Sequence, residues 1–343
     1  MSKKLFSIIV PVYNTDKYIN KCLNSIQKAI DTDCEVIIIN DGSTDNSEKT
    51  IKDYLKKLPE EYKSNYIYIK KENKGLADTK NVGIEKATGE FISVVDSDDY
   101  ISDDFYSIAR KYVNDFDIII YDLYVIYENN NKNNYTSRAY KDYIENPLVS
   151  YLHGAMSGSS CNKIIKKELY NGHKFPVGKQ YEDVAVTPFI LCEADKIKYV
   201  PYPMYYYLQR EKSIVATNTF ATAFYKICNN ITDVLKDLEI EKYESVINEF
   251  FVDRVIDNLS QDLVESNKTF IDNIKDFCEY NERIIKYITD NKLMYKYESD
   301  YSDEQKRTCE SIFDALKRKD TKEVKKIFDN KSIFNRIKRK IRR

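Results

Sequence analysis

Residues 35–47 read EVIIINDGSTDNS, and the fold follows from them. Glu35 to Ile39 is a short β-branched run, the pattern of a strand buried on both faces. Asn40-Asp41-Gly42-Ser43 stops it with turn-forming residues. Ser43 to Ser47 then offers caps for a helix in which Ile51, Tyr54, Leu55 and Leu58 recur at helical spacing. The flanking sequence repeats this strand–turn–helix unit. Leu5 to Val10 (LFSIIV) reads as a strand stopped at Pro11, and Ile19, Leu23 and Ile26 mark a helix within 16–30. Tyr66 to Lys70 is a third strand, Leu76 to Ala87 a helix ended by Thr88-Gly89, and Phe91 to Val95 (FISVV) a fourth strand. Alternating strands and helices predict an α/β fold with a parallel sheet. Ligands of such sheets bind beyond the carboxyl ends of the strands, where polar clusters follow strands one, two and four.

Downstream, residues 105–113 read as a helix, Asp117 to Tyr127 as a long strand, and ENNNKNN (128–134) as a hairpin tip. Cys161 to Tyr170 predicts a strand running into a short helix. Glu182-Asp183 opens a helix over 183–194, and Ile197 to Val200 and Tyr205 to Leu208 are strand-like. From about residue 220 the pattern is helical to the end. We therefore expect one α/β domain over 1–215 and a helical region over 216–343.

Composition narrows the class. With 42% hydrophobic residues and only 8 Gly and 7 Pro in 343, the chain is neither disordered nor collagen-like. No apolar run approaches the roughly 18–20 residues that span a bilayer, and Pro11 interrupts the only leader-like stretch. The expectation is a cytoplasmic protein. Seven scattered cysteines without a C-x-x-C pair argue for reduced thiols. The two histidines, His153 and His173, read as structural rather than as a metal or phosphate site. Net charge is −1, yet residues 316–343 carry thirteen Lys/Arg against three Asp/Glu. A basic tail therefore follows an acidic body.

Three carboxylates, Asp96, Asp98 and Asp99, follow the fourth strand. Hard divalent cations such as Mg²⁺ or Mn²⁺ take oxygen ligands and fill their remaining positions with water and substrate phosphate. Alone, this cluster reads equally as a capped strand-to-helix turn, Asp41 as turn chemistry and Glu182-Asp183 as a helix start. Together they point to one acidic, metal-bearing site.

In order along the chain stand SIIVPVYN (7–14), EVIIINDGSTDNS (35–47), NKGLADTKNVGIEKATGEFISVVDSDD (73–99) and YED (181–183). They resemble the family 2 glycosyltransferases. CNKIIKKELY (161–170) and PMYYYLQREKSI (203–214) are similar to the family's bacterial polysaccharide branch. The resemblance covers residues 5–215 and implies a GT-A fold, a Rossmann-like mixed sheet flanked by helices. By position it implies that Pro11, Val12 and Tyr13 line the nucleoside pocket and that Asp41 accepts from the base. Lys74, Lys80 and the Asn81-x-Gly83 helix would complete the nucleotide side. Asp96 would hold the ribose, Asp98 the Mn²⁺ or Mg²⁺ bridging the phosphates, and Asp99 would touch the donor sugar or cap the next helix. Asp183 would be the catalytic base with Glu182 beside it, while Arg210 and Ser213 would close over the diphosphate. One base and one metal imply single displacement with inversion at the anomeric carbon.

Two positions depart from the family pattern. Lys80 stands where Arg is frequent and lacks its bidentate fork. Cys161 stands where an aromatic is common, and reads as a small packing residue. The implied partners are a nucleotide-sugar donor, with UDP favoured, and a glycan or lipid-linked acceptor.

In the tail, Val324, Ile327, Phe334, Ile337 and Ile341 fall on one helical face among basic residues. Residues 322–343 thus read as a basic amphipathic segment suited to an anionic membrane surface, the inner face of the cell membrane, or equally as a helix packed on the acidic body. No nucleic-acid module accompanies it, and homo-oligomerisation stays open. Two other classes share the α/β plan: a metal-dependent nucleotidyltransferase, and a silent nucleotide-sugar-binding module.

Overall fold

A computed structural model of the chain describes residues 4–128, 134–139, 157–210 and 303–329. The chain divides into two compact units, Met1–Thr217 and Asn218–Arg343.

In the first unit the βα repeats lay down the parallel half of one sheet. β1 (Phe6–Val12) and β2 (Cys34–Asp41) are buried along their whole length. With β3 (Tyr66–Lys71) and β4 (Phe91–Val94) they pair in the order β3-β2-β1-β4, all parallel. The connecting helices are α1 (Ile19–Ala29), α2 (Ser47–Lys57), the single turn α3 (Glu60–Lys63) and α4 (Leu76–Lys86). They explain the unbroken apolar strands. Ile19, Cys22, Leu23 and Ile26 of α1 pack with Ile8, Val10, Val36 and Ile38 on one face, and α4 covers β1 and β2. Gly83 lets α4 lie close to the sheet, because a Cβ there would come within 2.5 Å of Ile9 and 3.0 Å of Ile39.

Past β4 the strand direction changes. The next elements are β5 (Tyr100–Ile101), α5 (Phe105–Ala109), β6 (Ile118–Tyr127), β7 (Tyr135–Ser137), β8 (Lys163–Lys166) with a 3-10 turn (Lys167–Tyr170), α6 (Glu182–Glu193) and β9 (Ile197–Gln209). β8 is antiparallel to both β4 and β6, β9 is parallel to β6, and β5 and β7 add antiparallel edges. The sheet is therefore mixed, as the resemblance implies, and the purely parallel expectation holds only for its first four strands. Antiparallel neighbours need no helical crossover, so the βα rhythm that reveals the first half is missing from the second.

Two element boundaries differ from the sequence reading. β9 is one strand where the apolar pattern predicts two, because Pro201 and Pro203 interrupt the pattern. The ladder with β6 absorbs them in a register shift around Asp122. The helix expected over 105–113 ends at Ala109 and continues as turns.

In the second unit α7 (Asp303–Lys317) packs on α8 (Thr321–Asp329). Ile312, Phe313, Ala315, Leu316 and Val324 are buried. Val324 is thus a packing residue and not part of an exposed apolar tail face. Among the described residues no helix is long and apolar enough to cross a membrane. His153, Ser213, the boundary near 215, the helical reading of 216–302 and the tail residues Phe334, Ile337 and Ile341 lie outside the described residues.

Candidate active site

The carboxyl ends of β1, β2 and β4 carry the first group of expected residues. Pro11 and Val12 close β1, and Tyr13 beyond them is 50% exposed. Asn14 takes a left-handed conformation (φ 52°), and its Oδ1 accepts from the amides of Thr44 at 2.8 Å and Asp45 at 3.3 Å. This ties the two strand ends together. Asp41 ends β2 almost wholly buried. Its carboxylate accepts from the Lys74 amide at 3.0 Å, the Gly75 amide at 2.9 Å and the Lys71 ammonium. Lys71 also meets Asp78 at 2.7 Å. Asp41 therefore pins the loop that leads into α4, and holds Lys74 by its backbone while the Lys74 side chain stays exposed.

The loop after β4 is organised from β9. The Tyr205 hydroxyl donates to Asp99 Oδ2 at 2.7 Å and accepts from the Asp96 amide at 3.1 Å. The Leu208 amide donates to Asp99 Oδ1 at 2.7 Å. Both oxygens of Asp99 are thus bonded inside the protein, where it is 1% exposed. It anchors the loop to β9. Burial, with the neighbouring Asp98 and Asp96, holds its carboxyl well above the usual range. Asp98 stays at the surface of the cluster and meets Arg210 Nη2 at 2.6 Å. The Arg210 guanidinium lies 5.4 Å from the centre of the Tyr18 ring, and its buried Nε has no partner among the described residues.

The third group comes from α6. Tyr181, before its first residue, adopts a left-handed conformation (φ 60°), a costly one for an aromatic residue. Glu182 is buried, and its Oε1 accepts from Lys80 Nζ at 2.7 Å. Lys80 also donates to Ser160 Oγ at 2.9 Å. Burial disfavours its charge, yet Glu182, Asp183 and Asp96 together hold the ammonium above its ordinary range. Asp183 is half-buried and accepts from the Ser160 amide at 3.1 Å and the Val184 amide at 2.9 Å.

Asp96 joins the groups. Burial pushes its carboxyl up to about 6 although Lys80 pulls it down, and the charges of Asp98, Glu182 and Asp183 push it up further. The residues after β4 and those opening α6 therefore share one electrostatic site. The carboxylates of Asp96, Asp98, Glu182 and Asp183 outnumber their paired cations, Lys80 and Arg210. No group of three His, Cys, Asp or Glu side chains among the described residues is arranged to hold a metal alone. An all-oxygen set with surplus negative charge suits a hard divalent cation that takes its other ligands from a substrate diphosphate, and the orphaned Arg210 Nε suits a phosphate oxygen.

The sequence from 7 to 173 matches the family model described as "Glycosyl transferase family 2". The glycosyltransferase GlyG of Streptococcus pneumoniae is 31% identical over 229 residues, 62% of this chain and 74% of its own length. The chain belongs to glycosyl transferase family 2. The putative glycosyltransferase EpsH of Bacillus subtilis is 29% identical over 264 residues, 74% of this chain and 75% of its own. The crystal structure of Staphylococcus aureus TarS 1-349 in complex with UDP-GlcNAc superposes with a TM-score of 0.69 at 22% identity, covering 96% of this chain and 91% of that one. The transferase thus has the GT-A fold that its sequence resembles.

Several residues that shape the transferase site escaped sequence reading. Tyr205 lies in an MYYY run of a chain with 30 tyrosines, and nothing in the run marks which hydroxyl is buried. Ser160 contributes chiefly a backbone amide, which carries no sequence signal. Cys161 and His173 are both buried. Burial pushes the Cys161 thiol up, away from a thiolate, and His173 is buried 3.1 Å from Glu193.

Proposed function

We propose that this glycosyltransferase moves a sugar, a hexose or N-acetylhexosamine, from a UDP-sugar to a hydroxyl of a glycan or lipid-linked acceptor, with inversion. The observation that carries this reading is the single charged site formed by Asp98–Arg210 on one side and Glu182–Asp183 on the other, joined electrostatically at Asp96. Similarity to the named glycosyltransferases and to TarS, whose structure holds UDP-GlcNAc, supports the donor class.

In this reading residues 1–100 bind the nucleotide, and residues 101–215 form the acceptor half. Pro11, Val12 and Tyr13 flank the base, and Asp41 holds the loop that borders it while meeting its polar edge. Lys74 completes the nucleotide side, and Asp96 meets the ribose. Asp98 would hold Mn²⁺ or Mg²⁺, which would supply charge neutralisation at the diphosphate. Arg210 turns its free Nε to the same phosphates, and Ser213 would close over them as the resemblance implies. Asp183 accepts the proton of the acceptor hydroxyl as its oxygen bonds to the anomeric carbon and the bond to the diphosphate breaks. Lys80 pairs with Glu182 beside Asp183, and the Ser160 amide orients Asp183. One carboxylate opposite the leaving group needs no covalent sugar–enzyme intermediate. The basic segment 331–343, KSIFNRIKRKIRR, would hold the transferase on the anionic inner face of the cell membrane, where such acceptors sit.

The test is UDP release from a panel of UDP-sugars by wild type and Asp98→Ala, with Mn²⁺, Mg²⁺ or EDTA. Metal-dependent release from one preferred sugar, lost in the variant, is expected. Release that EDTA and the substitution leave untouched would remove Asp98 and the metal from the mechanism. Pyrophosphate release from UTP plus a sugar phosphate would instead favour a nucleotidyltransferase.

A further inference from the structure

Lys163 begins β8 and is 1% exposed. A lysine buried this deeply keeps its charge only if every donor finds an acceptor. Its Nζ lies 2.5 Å from the carbonyl oxygen of Ser157, 2.8 Å from that of Ser159 and 2.7 Å from Asn162 Oδ1. An ammonium has three N–H donors, and here there are three oxygens. A neutral amine would have one donor fewer and would turn a lone pair toward an oxygen, so this arrangement suits the charged form.

The two carbonyls belong to the loop over 157–160. Its Ser160 amide donates to Asp183 Oδ2, and its Ser160 hydroxyl accepts from Lys80. From the opposite side Thr187 Oγ1, on the same helix as Asp183, donates to the Gly158 carbonyl at 2.8 Å. The loop is thus fastened to α6 by Thr187 and to β8 by Lys163, with the Ser160 amide between them.

We propose that Lys163 is a positioning residue for glycosyl transfer: its ammonium grips the carbonyls of Ser157 and Ser159 and so fixes the Ser160 amide that aims Asp183 at the acceptor hydroxyl. This rests on the reading of Asp183 as the base. Burial pushes the Lys163 ammonium down to about 7, while the groups that face it, the Cys161 thiol and the Asp183 carboxylate, push it up. The grip is therefore complete below neutral pH and loosens above it. Misplacement of a reacting group by about 1 Å costs on the order of 100-fold in rate, so loss of the grip falls on kcat and leaves the nucleotide side alone.

The experiment compares full-length wild type, Lys163→Met and Asp183→Asn. Readouts are UDP release from the UDP-sugar that wild type turns over, UDP binding with Mn²⁺ by calorimetry, and the pH profile of wild-type kcat. Lys163→Met is expected to lower kcat about 10- to 100-fold with the UDP Kd unchanged, and wild-type kcat to fall as pH rises through about 7 while UDP affinity holds. Inactive Asp183→Asn beside a folded Lys163→Met with wild-type kcat would overturn the proposal and spare the base. Asp183→Asn with wild-type kcat would overturn both. If Lys163→Met does not fold, the wild-type profile decides: a flat kcat across about pH 6 to 9 would overturn it.

Discussion

Lys80 Nζ donates to Glu182 Oε1 at 2.7 Å, with both side chains almost fully buried, so α4 and α6 are joined by an ion pair beside Asp183. The cost of burying two charges is offset only while both are present. Lys80→Met leaves Glu182 buried and unpaired, with an expected loss of about 3–5 kcal/mol of stability. The double variant Lys80→Met/Glu182→Gln should recover part of that loss, because no bare charge remains. Chemical denaturation of the singles and the double checks this. Equal stability of Lys80→Met and wild type would mean the pair is not closed in solution.

The Tyr205 hydroxyl is bonded to the acidic loop at two points, Asp99 Oδ2 and the Asp96 amide. Tyr205→Phe keeps the ring and removes both bonds, for an expected cost of about 1–3 kcal/mol. The loop that carries Asp98 is then held less firmly, and metal-dependent UDP binding should weaken more than binding measured in EDTA. Calorimetry with and without Mn²⁺ separates the two, and an equal loss in both would place Tyr205 outside the metal loop's support.

Deletion of residues 331–343 removes much of the basic tail while sparing α8 and its buried Val324. Binding to vesicles containing anionic lipid should drop, on the order of 1 kcal/mol for each Lys or Arg lost near the surface, with UDP-sugar hydrolysis unchanged. Equal vesicle binding by both forms would exclude the tail as a membrane contact.

The parallel half of the fold was legible in the sequence because each of its strands ends in a polar turn and is followed by a periodic helix. Asp41, Asp96, Asp98 and Asp183 were legible as candidates for a related reason: carboxylates after apolar strands, or at a helix start, stand out. What stayed hidden was carried by tertiary contact. The two-residue strand Tyr100–Ile101 has no period of its own. Asp99 was expected to touch the donor sugar or cap the next helix, and its two bonds to β9 were not readable from the sequence. Pro201 and Pro203 masked the continuity of β9, since only the bulged register with β6 accommodates them. Lys163 reads in sequence as one basic residue among many, and its burial cannot be seen until Ser157 and Ser159 fold over it.

The central claim is that Asp183 takes the acceptor proton at a site whose donor half is held separately. Asp183→Asn is nearly isosteric and keeps an oxygen for the Ser160 amide. The decisive measurement is paired: UDP affinity with Mn²⁺ by calorimetry, and sugar transfer by UDP release, on the same preparation. The account predicts wild-type UDP affinity with turnover lowered about 100- to 10,000-fold. Turnover equal to wild type would contradict it, and Asp183 would leave the mechanism.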